Sequence, residues 1–252
     1  MIPAPEPQAI LPILQQDRFW CAYALADLEP PHDEFSRWYL QEQSLLMTYH
    51  GFEPPTIFAA GATDHLAELA AMLPPDSYQI TLKQEHLAEL VDILNMRKVI
   101  SMLRMIHSHP PAADASPNGV VRLTRDDLPA IKALYADQPE QPDAFHPRQV
   151  EEAPFYGMYQ KKELVAVAGT HVYSPRFSIA AIGNVFTHPD HRNQGLAGHT
   201  AGAVLRDLTK AGIKTVLLNV RSDNEPAIRC YTRLGFTPYC KYYEGWGTIA
   251  RS

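Results

Sequence analysis

Val185-Phe186-Thr187-His188-Pro189-Asp190-His191-Arg192-Asn193-Gln194-Gly195-Leu196-Ala197-Gly198 is the stretch on which the reading of this chain turns. Its first residues close an apolar run over 179–187. Its last residues open a helical pattern over 195–211, in which Leu196, Thr200, Val204, Leu205 and Leu208 recur on one face until Gly212 ends it. The stretch is a strand that feeds a tight, glycine-containing loop into a helix N-terminus. Such a junction gathers unpaired backbone N–H groups and the positive end of the helix dipole at one spot, which suits a pyrophosphate. Gly195 lets the backbone approach a ligand closely, Ala197 is nearly as small, and Arg192 can add charge-assisted bonds to a phosphate oxygen. A Gly-x-Ala step at a helix start also occurs in loops that are only capped turns, so the surroundings must decide.

Upstream, 155–160, 164–173 and 179–187 read as successive strands joined by Lys161-Lys162-Glu163 and Ser174-Pro175-Arg176, an antiparallel meander. Ahead of them a strand runs over 119–124. Asp126 and Asp127 then open a helix with Leu128, Ile131, Leu134 and Tyr135 on one face, and a second short helix follows His146. Downstream, 216–220 is a buried-type strand. Asn224 precedes a helix with Ala227, Ile228, Tyr231 and Leu234 on one side, Gly235 stops it, and a strand is predicted over 237–243. The order is strand, two helices, three strands, helix, strand, helix, strand.

The proline-rich stretch 109–119 has no apolar period, so a linker is predicted over 111–118, between an N-terminal α/β domain at 1–110 and a C-terminal domain at 119–252. In the N-terminal part the pattern predicts a helix over 33–42, strands over 44–49 and 56–60, and a helix over 64–72. A strand over 78–82, a helix over 84–94 and a strand over 98–107 follow.

With 252 residues, 46% hydrophobic and 20% charged, the chain has the make-up of a soluble globular protein of one large or two modest domains. Its net charge of -6 comes without a basic stripe, which disfavours a nucleic-acid partner. Cys21, Cys230 and Cys240 have neither CxxC nor Cys/His spacing, so they read as reduced thiols in a cytoplasm and no metal site is expected. His107 and His109 lack an acidic or cysteine partner nearby and read as loop residues. Residues 1–16 lack a basic start followed by an apolar run, and no apolar run is long enough for a membrane span.

Arg192, Gly195 and Ala197 resemble the coenzyme A-binding signature of the GNAT superfamily, in which Arg or Gln is followed by two residues, Gly, any residue, and Gly or Ala. A second signature of that family stands as Asn224, Ala227, Tyr231, Leu234, Gly235 and Phe236. The resemblance covers 119–252 and implies the family's α/β fold, a mixed sheet flanked by helices whose fourth and fifth strands splay apart, helped by a bulge. It implies acetyl-CoA as acyl donor, held by Val185, Phe186, Thr187, Arg192, Asn193, Gln194, Gly195, Leu196, Ala197, Gly198, Asn224, Ala227 and Tyr231.

It further implies N-acetyltransferase activity. Tyr231 is the acid for the leaving thiolate, against the alternative of a core aromatic on the same face as Ala227 and Leu234. Asn224 can cap its helix as well as lie near pantetheine. Arg229 and Arg233 can reach the adenosine phosphate or form a solvated face. Many relatives place a glutamate on the fourth strand, but 181–185 has no carboxylate, and water, His171 and Glu244 remain as routes for the amine's proton. Direct transfer is expected, since neither signature supplies an obvious cysteine carrier. The acceptor is expected to be a small amine or amino acid, as in glycine N-acyltransferase-like proteins. A protein amine, or a catalytically silent acyl-CoA sensor, is the alternative. The N-terminal part can be a degenerate copy of the same fold.

Overall fold

The computed structural model describes residues 2–3, 5–107, 119–136 and 145–250. The chain forms two compact units. One comprises Met1–Arg104, Arg221–Asp223 and Tyr239–Ser252, and the other Met105–Val220 and Asn224–Pro238. The predicted linker over 111–118 lies outside the described residues.

The first unit contains β1 (Ile2–Pro3), α1 (Pro7–Gln16), α2 (Ala22–Ala26), β2 (Ser36–Gln41), β3 (Ser44–Tyr49), β4 (Thr56–Gly61), α3 (Leu66–Ala70), β5 (Ser77–Leu82), α4 (Gln84–Leu90) and most of β6 (Leu94–His107). β1 to β4 pair antiparallel in sequence order, and β5 joins β4 in parallel over Thr56↔Gln79 to Phe58↔Thr81. Leu46, Ile57, Leu66, Leu69, Leu82 and Leu90 lie in its core.

The second unit contains β7 (Val120–Arg122), α5 (Leu128–Tyr135), α6 (Arg148–Glu152), β8 (Phe155–Gln160), β9 (Glu163–Ser174), β10 (Ile179–Thr187), α7 (Leu196–Lys210), β11 (Thr215–Arg221, to Val220), α8 (Glu225–Arg233) and the start of β12 (Phe236–Ile249). This repeats the first unit's order. β7 to β10 pair antiparallel, and β11 joins β10 in parallel. Thr124 and Asp127 form a reciprocal capping box ahead of α5. Ile131, Leu134 and Tyr135 of α5 then pack with Val150, Phe155, Val167 and Phe186, while Leu196 of α7 packs with Val165 and Ala166. The β8–β9 register shifts between Met158↔Ala166 and Tyr159↔Leu164, so Val165 is an extra residue that breaks the alternation: Leu164 and Val167 pack with α5, and Val165 and Ala166 with α7. The α/β class with a mixed sheet flanked by helices is as expected.

Two expectations are corrected, and one helix had not been expected. Residues 33–42 do not form a helix: a 3-10 turn over His32–Phe35 leads into β2, where Trp38 and Leu40 are buried at a spacing of two. That alternation, with a hairpin turn at Glu42 (φ 52°), outweighs local helix propensity. α1 was hidden by its prolines; Pro7 sits in the first turn, where no N–H is needed, and Ile10, Ile13 and Leu14 form the buried stripe. The last strand continues to Ile249, and its residues Tyr243–Thr248 pair antiparallel with β5 in the first unit.

Candidate functional site

β10 is paired along both edges only at its start. Its parallel ladder with β11 runs from Ile179↔Thr215 to Ile182↔Leu218, whereas β10 continues to Thr187 and β11 to Arg221. On its other edge the register with β9 jumps from Gly183↔Gly169 to Phe186↔Val167, so β10 carries one extra residue. This is the bulge expected on the fourth strand, and Asn184 adopts φ 54° within it. The Tyr135 hydroxyl donates to the Asn184 carbonyl at 2.9 Å in a buried setting. A second register shift, between Ala181↔Val172 and Ile182↔Thr170, leaves His171 as the extra residue of β9; a Cβ on Gly183 would lie 2.6 Å from the His171 Cβ.

Beyond Thr187, the His188 N–H donates to the Val165 carbonyl and its ring accepts from the Asp190 N–H, shaping a 3-10 turn over Pro189–His191. Arg192 folds back: its Nε donates to the Thr187 carbonyl at 3.2 Å and its guanidinium lies 5.9 Å from the centre of the Phe186 ring. Asn193 (φ 63°) and Gly195 (φ 75°) are both left-handed, and Gly195 is the N-cap of α7 with no side chain capping it. The first-turn N–H groups of Leu196, Ala197 and Gly198 therefore have the dipole's positive end without a side-chain acceptor, an arrangement that can hold an anion. The Thr187 hydroxyl oxygen is buried without a hydrogen-bond partner among the described residues.

α8 lies against α7 where α7 is thinnest. A Cβ on Gly198 would stand 3.3 Å from the Cys230 sulfur, and one on Gly202 3.2 Å from Leu234. Helix packing is therefore a sufficient reason for Gly198. Asn224 caps α8, accepting from the Ala227 N–H at 3.2 Å. One turn later the exposed Arg229 pairs with Glu225 at 3.0 Å. Tyr231 is the buried residue of this helix and meets Phe236 edge-on at 6.3 Å; burial pushes its phenol well above the ordinary range.

Cys230, read from the sequence as a reduced thiol, directly precedes Tyr231. Burial raises its thiol, only partly offset by Arg233, so it is held as a thiol and not as a nucleophilic thiolate. Reasoning from the chain missed Gln149 and Asn184, although a lone asparagine inside an apolar strand run is a legible bulge signal. Of the residues considered for the amine's proton, His171 is in this unit. Glu244 is in the first, where its carboxylate accepts from the Tyr242 hydroxyl at 2.7 Å. His107 meets Phe236 edge-on at 5.2 Å, and His109 lies outside the described residues. Among the described residues no group of three or more His, Cys, Asp or Glu could hold a metal.

Residues 120–236 match the acetyltransferase (GNAT) family. The chain is 28% identical over 170 residues to mycothiol acetyltransferase of Streptomyces scabiei, a match covering 61% of this chain and 54% of that protein. The chain thus spans about half the length of that relative. It is 31% identical over 124 residues to the [ribosomal protein bS18]-alanine N-acetyltransferase of Escherichia coli, covering 47% of this chain and 80% of that enzyme. In fold it is similar to a tandem GNAT protein from the clavulanic acid biosynthesis pathway, with a TM-score of 0.60 at 14% identity over 91% of this chain and 88% of the other. A bulged β10 that outruns its ladder with β11, and an α7 that no side chain caps, are thus local features of a chain that belongs to the GNAT family of acetyltransferases.

Proposed function

We propose that the second unit transfers an acetyl group from acetyl-CoA to a primary amine of a small molecule or amino acid. The observation that carries this reading is the end of the β10–β11 ladder at Ile182↔Leu218, beside a β10 that leads straight to the uncapped N-terminus of α7. An extended arm would enter where the ladder ends, and a diphosphate would meet the amides of 195–198 with Arg192 beside them. Main-chain groups of Val185 and Thr187, on the stretch freed from β11, are available to pantetheine, and the orphaned Thr187 hydroxyl marks the same edge.

Transfer requires the amine nitrogen to attack the thioester carbonyl carbon, the carbonyl oxygen to carry negative charge briefly, and the C–S bond to break as the amine loses a proton and the thiolate gains one. A backbone N–H at the bulge would hold the oxyanion. Tyr231 would face the departing sulfur. A phenol near ~10 giving its proton to a thiolate of about 8.5 is uphill by roughly 2 kcal/mol, and burial increases the gap. Tyr231 therefore acts as a hydrogen-bond donor that stays protonated until the C–S bond is nearly broken. With the half-buried Cys230 held as a thiol, direct transfer is the route proposed.

The first unit is read as a second copy of the fold that has lost its carrier site. It repeats the element order, but its β3–β4 register is unbroken, α3 is short, and the His65 N–H at the start of α3 is already bonded to Ser44 Oγ. A cytoplasmic setting is supported by three free cysteines; among the described residues no helix is long and apolar enough to cross a membrane.

Thiol release from acetyl-CoA with a panel of amines tests the reading. Turnover with small amines or amino acids supports it, and tight binding of coenzyme A without any turnover overturns it. Turnover confined to peptides would favour a peptide α-amine as acceptor, the reading suggested by the similarity to an alanine N-acetyltransferase.

A further inference from the structure

Asn184 stands at the bulge of β10 with its polarity set by its neighbours. The Gln149 Nε2 donates to the His171 carbonyl at 3.1 Å, and the Gln149 Oε1 accepts from the His146 N–H at 3.0 Å. A carboxamide has one donor end and one acceptor end, so these two bonds fix which way Gln149 points. Its Oε1 then also accepts from the Asn184 Nδ2 at 3.1 Å, which turns the Asn184 Oδ1 away from Gln149. The Asn184 carbonyl is already engaged by Tyr135. Asn184 is 7% exposed as a residue, and its Oδ1, which is not among the buried atoms left without a partner, makes no hydrogen bond to the described residues. With its amide nitrogen and its backbone carbonyl both engaged, the side chain is held in one direction and offers this oxygen as the acceptor left for a ligand N–H.

We propose that Asn184 receives an N–H of the acceptor amine through Oδ1, and that Gln149 is the positioning residue that aims it. This rests on the transferase reading above. Asn184 lies on the stretch of β10 that has left β11, at the strand segment where a carboxylate is lacking. A carboxamide oxygen holds an N–H without removing the proton. Asn184 therefore orients the amine's lone pair and leaves deprotonation to water. The left-handed backbone at Asn184 is by itself a reason for asparagine, so the test must keep that backbone and remove the amide.

Asn184→Gly does so, in the full chain saturated with coenzyme A and with glycinamide as probe amine. In wild type, the side-chain amide resonance pair that Asn184→Gly deletes is expected to shift as glycinamide is added. With acetyl-CoA, Asn184→Gly is expected to raise KM for glycinamide roughly tenfold or more, with the coenzyme A Kd unchanged. Gln149→Leu is expected to raise it less, and to add nothing in the Asn184→Gly background, whereas a merely structural Gln149 would add its full loss. An amide pair unmoved by glycinamide, or an unchanged KM in Asn184→Gly, overturns the proposal while coenzyme A binding leaves the transferase reading standing. Failure of the wild type to bind coenzyme A overturns both.

Discussion

The Trp20 indole N–H donates to the carbonyl of Ala59 at 2.9 Å, just past the point where β4 and β5 stop pairing at Phe58↔Thr81. That carbonyl occupies, in the first unit, the place that the freed stretch of β10 occupies in the second. Trp20 is 1% exposed, stacks on Phe58 at 5.2 Å and meets Tyr242 edge-on at 5.4 Å. β5 ends at Leu82, one residue beyond that last pair, so β4 runs on to Gly61 without it, and the indole takes up the Ala59 carbonyl of that stretch. The expected outcome is one coenzyme A per chain by titration calorimetry; two equivalents would show that the first unit also binds the carrier.

Arg192 approaches the loop by folding onto Thr187 and Phe186, so its charge stays beside the end of α7. Arg192→Ala should weaken coenzyme A binding roughly tenfold to a hundredfold, the weight of one charge-assisted hydrogen bond. Because the side chain is on the surface, the thermal midpoint should barely move. A dissociation constant equal to wild type would mean that the amides of 195–198 hold the diphosphate unaided.

Gly195 tests the loop from the backbone side. Its φ of 75° is left-handed, and the nearest atoms to an added Cβ belong to the His199 ring at 3.8 Å, so Gly195→Ala meets strain and no internal clash. Stability should fall by about 1–2 kcal/mol, while coenzyme A affinity should fall at least as steeply as in Arg192→Ala. Denaturation together with calorimetry separates the two effects. Unaltered affinity would show that nothing packs against this turn.

The second unit was readable because its periods are long and its punctuation is strict. β8 and β10 begin and end at the expected residues, and Gly195, Gly212 and Asn224 sit at the helix ends. The first unit was less readable because burial there depends on distant partners. The alternation of Trp38 and Leu40 means strand only once β3 pairs beside it, and Pro12 lies inside a helix that packs through Ile10, Ile13 and Leu14. In the site, residue types and spacing gave the loop and the helix start at Asn224, while Tyr231 was singled out by the resemblance. They gave neither the amide relay of Gln149 and Asn184, which exists only when α6 meets the bulge, nor the contact between Cys230 and Gly198, which needs two helices crossed.

Tyr231→Phe removes one oxygen from a buried ring and leaves its edge-on contact with Phe236 in place. The fold should be as stable as wild type, and coenzyme A affinity close to it. Turnover should fall roughly 100-fold or more, within the range for loss of a positioned proton donor. Stopped-flow thiol release would read this directly. Equal turnover in the variant would remove Tyr231 from the chemistry and leave it as a core aromatic.

Asp17 fixes the turn that presents Trp20, and it makes the first unit sensitive to acid. Burial acts to raise its carboxyl, but bonds from Lys83 Nζ (2.6 Å), the Tyr239 hydroxyl (2.6 Å) and the Trp20 N–H (3.1 Å) outweigh it and hold the group below its ordinary value. The folded state thus binds this proton more weakly than the unfolded one. The stabilisation is fully present above the unfolded value of about 3.9 and is lost as pH falls through the lower folded value. Asp17→Asn should cost about 2 kcal/mol between pH 6 and 8, the scale of charge-assisted bonds. The gap from wild type should narrow once pH drops below about 4. Urea denaturation across that range checks it. A gap of equal size at both ends would assign the loss to altered packing around Trp20, with no part played by the charge.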